Sequence, residues 1–430
     1  MGSTASLWQD EYPGRPRPAV EGDHTAAVCV IGAGVTGASC AWRLLEHGID
    51  VTIVDGRSAA GGASGRNGGF AVTGTGLEHD ELARRLGEGP ARELHEATAL
   101  ALDRMIALAA ELGVPGAVRR TGSVWLVADD ELEYAEQAVR AAAGAGIGCT
   151  FAPEMIPEAL RDGFVTAVHE PEDASLLPAA WVRSLAAACA ERGAALYEHS
   201  PATAVERDGA GWAVTAGTGR VLAEAVVVAC DGLIGAVVPE LAQVVYPVRG
   251  QVLATAPLER PPLPLPMHSQ YGFMYYRPTS NGRVVLGGGR LEHLEDEYTD
   301  EEIVTAPVQA VLDAFLARLG LSGVPVTHRW AGIMGFSADL LPLAGPVPGA
   351  PGLIVAGGYS GVGNVLGHLC GWLVADLVAT GGHPQAAAFA PSRFADTTSV
   401  EQLEKRRSRE LAARLQRRER GSSGPLSYHG

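Results

Sequence analysis

Ala26-Ala27-Val28-Cys29-Val30-Ile31-Gly32-Ala33-Gly34-Val35-Thr36-Gly37 opens a stretch, Ala26–Asp55, whose reading decides the fold. The pattern predicts a strand over Ala27–Ile31, a tight turn over Gly32–Gly37 and a helix to about His47 with Gly48 as its C-cap. A second strand, Asp50–Val54, then delivers Asp55. Gly32 permits the turn, Gly34 lets a pyrophosphate approach the backbone, and Gly37 lets helix and strand pack closely. The helix N-terminus, with Val35 and Thr36 in its first turn, offers amides and a partial positive charge to phosphates. Asp55 falls where a carboxylate accepts both ribose hydroxyls, and Gly56 and Arg57 follow it directly. A lone GxGxxG is weak evidence. A strand before it, a capped helix after it and the acid on schedule make a dinucleotide fingerprint.

A chain of 430 residues is too long for one simple core, so two domains, or one with a large insertion, are expected. No apolar run reaches the roughly 18 residues of a membrane span. The N-terminus lacks the apolar segment of a secretory signal. The six cysteines are scattered, mostly in apolar segments, and read as free thiols of a reducing cytoplasm. Neither a CxxC nor a His cluster has metal-ligand spacing, so no metal is expected. A net charge of −16 argues against nucleic acid as a partner.

Residues 1–25 read as an extension in which Leu7 and Trp8 dock on the body. After Asp55 comes a second glycine-rich loop, Gly61-Gly62-Ala63-Ser64-Gly65-Arg66-Asn67-Gly68-Gly69, able to wrap a flat polar ring and its phosphates. Helices are expected over 80–113, Glu131–Ala143 and 181–192, and a strand over Thr121–Val127. A strand pair follows at Ala202–Glu206 and Trp212–Thr215. The all-apolar run Ala225-Val226-Val227-Val228-Ala229, leading to Cys230 and Gly232, belongs in the middle of a parallel sheet beside the first strand. From Tyr246 the chain alternates as an antiparallel sheet does: Val248–Leu253, Phe273–Arg277 and Arg283–Leu286. Tyr271, Phe273 and Tyr275 share one strand face, as a core stripe or as the wall of a pocket. A helix is expected over Asp300–Leu319. Leu353–Gly357 is a strand, and Gly358-Tyr359-Ser360-Gly361-Val362-Gly363 feeds the apolar helix Asn364–Ala379. Residues 395–420 read as a charged, basic helix, solvated or docking an oligomer partner.

Three glycine-fed loops exceed what NAD needs and suggest FAD, one loop holding the ADP half and two the far end. The helix that starts near Gly363 would aim its positive end at the flavin pyrimidine. There is no second complete fingerprint for NADPH, so electrons are expected directly from the substrate.

On these residues the chain resembles the D-amino-acid-oxidase-like family of flavoproteins, nearest its gamma-glutamylputrescine oxidase branch. The likeness is carried by Ser6-Leu7-Trp8, Val30–Gly37, Gly62–Gly69, Val248-Arg249-Gly250-Gln251, Trp330-Ala331-Gly332 and Gly357–Gly363. It implies an α/β fold: a Rossmann-like FAD-binding domain of the glutathione-reductase type, built from discontinuous segments, plus an α+β substrate domain with a mainly antiparallel sheet. The expected limits are 26–90, 165–245 and 327–395 for the first, 91–164 and 246–326 for the second, and 396–430 for a charged tail. The resemblance puts Asp55 at the adenosine ribose, Ala63 and Ser64 at the phosphates and Arg66, Asn67, Gly68 and Gly69 by the flavin ring. Ala202 falls near the adenine. Cys230, Gly232 and Gly335 join the lining, and Gly358, Tyr359, Ser360, Gly361, Val362 and Gly363 reach the pyrimidine end.

The departures from the family are informative. Sarcosine oxidases carry a flavin-linked cysteine after the Trp-x-Gly; here Gly332-Ile333-Met334-Gly335-Phe336 has none, so noncovalent FAD is expected. Glycine and D-amino-acid oxidases place a carboxylate-binding arginine where this chain has Met334. Either the substrate is an amine without an α-carboxylate, or Arg66, Arg249, Arg277 or Arg290 takes that part. The strand Arg283–Gly287 lacks the oxygen-activating lysine of sarcosine oxidases. The expected reaction moves hydride from the amine carbon to flavin N5. The imine hydrolyses to an aldehyde or keto acid, and O2 reoxidises the flavin to give H2O2. Asn67, Tyr275, Tyr276 and Met334 are the candidate residues at the reacting centre, with His268 a further candidate base. The alternatives are an α-amino-acid oxidase or dehydrogenase acting on a biosynthetic intermediate, and an FAD-bearing scaffold without turnover. A homo-oligomer is a possible assembly.

Overall fold

In the computed structural model residues 5–395 are described. The charged segment expected over 396–430 lies outside them. The first sheet is built on a parallel core in the order Ala195–Tyr197, Val51–Val54, Glu21–Ile31, Thr218–Val228, Leu353–Gly357. The apolar run expected in mid-sheet is there: Val226, Val227 and Val228 pair with Cys29, Val30 and Ile31 on one side and with Leu353, Ile354 and Val355 on the other. Buried on both faces, these residues need no polar alternation. The predicted hairpin appears as Ala202–Asp208 and Gly211–Ala216, which extends the sheet through the N-terminal half of Thr218–Val228.

Helices cover one face. The fingerprint helix, Val35–Glu46, lies against the closing helix Gly363–Thr380 and against Pro178–Glu191. Close approach is possible because Gly371 faces the carbonyl of Thr36, where a Cβ would stand 2.5 Å from that oxygen. Gly37 does the same for the preceding strand; its Cβ would stand only 1.8 Å from Gly32 O.

The second sheet runs Val326–Ser337, Val245–Thr255, Val284–Gly288, Met274–Pro278, Met267–Ser269, Ser123–Val127, Thr166–Glu170, Thr150–Phe151. Every neighbouring pair is antiparallel except Met267–Ser269 with Ser123–Val127. Hydrogen bonding therefore places Thr166–Glu170 and Val326–Ser337 in this sheet, although the limits expected at 165 and 327 grouped them with the first. The helix Glu88–Glu111 packs on the closing helix, in the core of the first sheet.

Several local expectations are corrected. The helix expected over 80–113 is two, His79–Leu86 and Glu88–Glu111, because Gly87 (φ 94°) breaks the path. The helix expected from Asp300 begins at Ala306, with Thr305 as its N-cap and Pro307 in its first turn. Tyr271 and Phe273 lie in a turn, not on the strand, which starts at Met274; Gln270, Tyr271 and Gly272 all have positive φ. Leu7 and Trp8 dock as expected: both are fully buried in a short helix, Leu7–Glu11, capped by Ser6.

Candidate active site

The fingerprint turn, Asp55, the second glycine loop and the start of the hairpin meet at the C-terminal ends of the parallel strands. Asp55 Oδ2 accepts from Ala33 N at 2.6 Å and Oδ1 from Arg57 N at 2.7 Å, so the acid also shapes the turn it serves. Ser200 N donates to Asp55 O at 2.7 Å, which brings Ala202 to the same crevice; Gly56 packs against Pro201. Burial pushes the Asp55 carboxyl up, against the two amides that favour its charged form.

The fingerprint helix has no side-chain cap of its own. Ser64, from the second loop, stands in: its Oγ accepts from Val35 N at 2.9 Å, and a Cβ on Gly34 would lie 2.8 Å from that oxygen. The Ser64 hydroxyl, beside a helix start whose first turn carries no side-chain cap of its own, suits a pyrophosphate. The closing helix also lacks a side-chain cap, and its start, Val362 and Asn364, lines the main cavity. The residues present therefore fit FAD.

The second loop is braced from three directions. Trp8 Nε1 donates to Asn67 O (2.8 Å), and Ser6 Oγ to Gly65 O. Trp330 Nε1 donates to Arg66 O (2.7 Å). Asn67 is used internally: its side chain reaches Ala63 O, exchanges hydrogen bonds with the Asn364 amide, and accepts from Gly69 N. It positions the loop rather than presenting a free group.

The chain belongs to the DAO family of FAD-dependent oxidoreductases. The family's pattern, described as FAD dependent oxidoreductase, matches residues 27–377. Similar proteins include a probable oxidoreductase OrdL of Rhizobium meliloti, 29% identical over 386 residues, covering 86% of this chain and 87% of that one. The gamma-glutamylputrescine oxidoreductase of Escherichia coli is 28% identical over 370 residues, covering 82% and 84%. Among solved structures, glycine oxidase from Geobacillus kaustophilus superposes with a TM-score of 0.74 at 25% identity, covering 86% of this chain and 99% of that one.

In this DAO-family chain a cavity of about 680 Å³ opens from the second loop across the face of the antiparallel sheet. Arg66, Asn67, Gly68, Gly332, Ser360, Gly361, Val362 and Asn364 line it at the end where the glycine loops meet. Tyr275 forms the wall there: a Cβ on Gly68 would meet its ring at 2.7 Å, and one on Gly287 at 2.2 Å. Met334 reaches the same spot; a Cβ on Gly250 would lie 3.0 Å from Met334 Cε and 3.8 Å from Tyr275 Oη. Phe273 and Phe336 complete the apolar lining. Burial raises the Tyr275 hydroxyl above its usual value, so it is a neutral phenol at physiological pH.

Tyr276 is elsewhere. One residue on along the strand, it faces the opposite side of the sheet and packs against Phe315, ring centroids 4.7 Å apart and tilted by 41°, in a closed core. Of the four arginines considered for a substrate carboxylate, three are occupied. Arg66 donates to Gly61 O and Ala331 O and sits 3.4 Å from Glu302. Arg249 is locked on Glu297 through two nitrogens, and Arg277 donates to Gly69 O and Leu176 O. Arg290 differs. It lines the cavity, nine-tenths buried, with its guanidinium over Phe273 (4.8 Å) and Phe336 (5.6 Å). Its side chain has neither hydrogen bond nor ion pair among the described residues, and Nε is fully buried without a partner.

Asp231 is a residue that sequence reasoning missed, although its neighbours Cys230 and Gly232 were singled out. It has φ 47° and is half-buried where the two sheets meet. Its Oδ2 accepts from Gly335 N (2.7 Å); Oδ1 accepts from Gly358 N (2.9 Å) and Tyr359 N (3.4 Å). One carboxylate thereby pins both glycine turns that the resemblance assigns to the pyrimidine end. The available signal was a charged residue directly after an all-apolar central strand. Tyr359 turns inward and hydrogen-bonds Thr36 Oγ1 at 2.7 Å, joining the two helices. Cys230 is half-buried, and desolvation pushes its thiol up to about 12, so it is unreactive. Among the described residues no group of His, Cys, Asp and Glu is arranged to hold a metal, and no helix is long and apolar enough to cross a membrane.

Proposed function

We propose that the protein oxidises the C–N bond of an amine that carries a carboxylate, an amino acid or N-substituted amino acid, with FAD held noncovalently. The carrying observation is Arg290: a buried guanidinium without a partner needs an anion, and it stands in the cavity that the cofactor loops open into. Its position compensates for Met334, which occupies the place of the family's carboxylate-binding arginine. FAD, when bound, supplies a two-electron acceptor for the hydrogen on the carbon next to nitrogen.

The protein's own residues do the rest. Arg290 would pair with the carboxylate and fix the substrate's orientation. Phe273, Phe336, Met334 and Tyr275 surround the amine with apolar groups. Such a lining disfavours the ammonium, so the amine loses its proton to solvent and reacts as the neutral form. The oxidised product is an imine, which water hydrolyses to a carbonyl compound and an amine or ammonia. Passage of the electrons to O2, giving H2O2, completes the cycle proposed here.

Noncovalent attachment is supported by Gly332–Phe336, which has no cysteine; the cysteine in the cavity lining, Cys149, lies beside Glu170 and Glu78 at the other end. All six cysteines are free, which supports a reducing, cytoplasmic setting. The test is anaerobic mixing of the yellow holoenzyme with paired amines and amino acids. Bleaching by carboxylate-bearing amines, with peroxide on readmitting air, is expected. Bleaching only by amines without a carboxylate, or by nothing, overturns the reading.

A further inference from the structure

The cavity does not stop at the reacting centre. Strand pairing sets Tyr275, His268 and Trp125 side by side on one face of the sheet. Two strand spacings carry the lining about 10 Å beyond Tyr275. There the character reverses. Ser123 Oγ lies 2.7 Å from Asp173 Oδ2 and 3.0 Å from Glu170 Oε2, and His268 Nε2 lies 3.2 Å from the same Glu170 oxygen. Glu78 is exposed, but to the cavity it lines, and it provides no cap for the helix it precedes. Three carboxyl groups thus face one imidazole.

The lining between them is aromatic. Trp125 stacks on His268 (6.2 Å, 12° between planes), Tyr134 meets Trp125 edge-on at 5.7 Å, and Tyr271 leans on Tyr134 at 5.6 Å. Trp125 is itself 5% exposed, with its Nε1 unpartnered. Carboxylates around a small inorganic cation need a tight ligand set, and none is present among the described residues. Carboxylates combined with ring faces suit an organic cation.

The opposite end of the same cavity holds Arg290, nine-tenths buried and without a partner. One space therefore carries an unpaired positive group near the cofactor loops and, beyond Tyr275, three carboxyl groups to a single imidazole.

We infer that the substrate is bipolar: its carboxylate meets Arg290, and a second, cationic group, an ammonium or guanidinium, sits among Trp125, Tyr271, Glu78 and Glu170 at the far end. This rests on the function proposed above and names its substrate class: an oxidisable amine with a carboxylate and a further basic group. Neutral side chains of the same length leave the cluster with more carboxyl groups than its one imidazole can pair and are selected against. The span of about 10 Å from the Tyr275 wall to the far end corresponds to an extended chain of roughly eight bonds.

The experiment is a titration of the holoenzyme, read by the flavin absorbance difference and by the shift in melting temperature, with 8-aminooctanoate, octanoate and octylamine. None of the three need turn over for binding to be read. Expected is binding of 8-aminooctanoate at least tenfold tighter than either of the others. That advantage over octanoate falls at least fivefold in Glu78→Gln and in Glu170→Gln. Glu78→Gln keeps the proposal testable if the Glu170 variant fails to fold, since the Glu78 carboxylate caps nothing. Octanoate binding as tightly as 8-aminooctanoate, with amino acids still bleaching the flavin, overturns the inference and leaves the proposed function standing. Failure of all three to bind, with no bleaching by any amino acid, removes the proposed function itself.

Discussion

Asp231→Asn gives an unusual pH signature. Burial pushes the Asp231 carboxyl from its ordinary 3.8 up to about 6, against the four backbone amides that favour its charged form. A folded pKa above the unfolded one means that the folded state holds the proton more tightly. The wild-type contribution is therefore fully present below about pH 4 and is lost as pH rises to about 6. Two pKa units correspond to about 3 kcal/mol. Asparagine does not titrate, so the variant lacks this slope. It also turns an amide donor or a single oxygen toward Gly335 N, Gly358 N and Tyr359 N, losing at least one charge-assisted hydrogen bond worth about 1.5–3 kcal/mol. The destabilisation of Asp231→Asn should thus be largest near pH 4 and shrink by about 3 kcal/mol by pH 8. Urea unfolding of both proteins across that range, followed by circular dichroism, reads the difference, in which all other titrating groups cancel. A destabilisation that grows with pH would show a depressed carboxyl and refute the reasoning. FAD content measured alongside should fall, because the turns that Asp231 pins are those expected at the flavin pyrimidine.

The remaining expectations separate neighbouring positions. Gly68→Ala puts a Cβ 2.7 Å from the Tyr275 ring and should slow anaerobic flavin reduction at least tenfold with little change in melting temperature; unchanged reduction would remove Tyr275 from the reacting centre. Tyr276→Phe should leave reduction unaltered, whereas Tyr276→Ala should cost about 3–5 kcal/mol of stability, measured by urea unfolding. Asp55→Ala should weaken FAD retention on dialysis about tenfold or more, since it removes the proposed ribose acceptor and leaves Ala33 N and Arg57 N without their partner. Trp8→Ala should lower both stability and FAD content, because the indole fills a fully buried site and holds the carbonyl of Asn67.

Much of this was legible without coordinates, and what was legible shares a cause. The fingerprint turn, Asp55 and the run Val226–Val228 are local or periodic features. Backbone geometry and strand pairing dictate them, so their residue types carry the meaning directly. The resemblance to the DAO family rests on the same glycine turns, and the family match over 27–377 bears it out. Boundaries were less legible. Gly87 splits a periodic stretch through a backbone angle, and Pro307 starts a helix later than the acidic run before it suggested. Tyr271 and Phe273 reach the cavity from a turn, not from the strand face first read for them, because positive φ at 270–272 re-aims them.

The sequence by itself determined that a dinucleotide-type cofactor domain exists, where its glycine turns fall, and that four arginines compete for one part. Only the tertiary structure showed which of those arginines lacks a partner. Being unpaired is a property of surroundings: Glu297 neutralises Arg249, carbonyls surround Arg277, and Glu302 stands near Arg66, while Arg290 meets two phenyl rings and open space. The same holds for Tyr275 and Tyr276, identical in type and adjacent in order, which a strand's two-residue period sends to opposite faces. Pairing partners far apart in the chain set charge compensation, and long-range strand register sets which acids share a cavity; neither is written in any one segment.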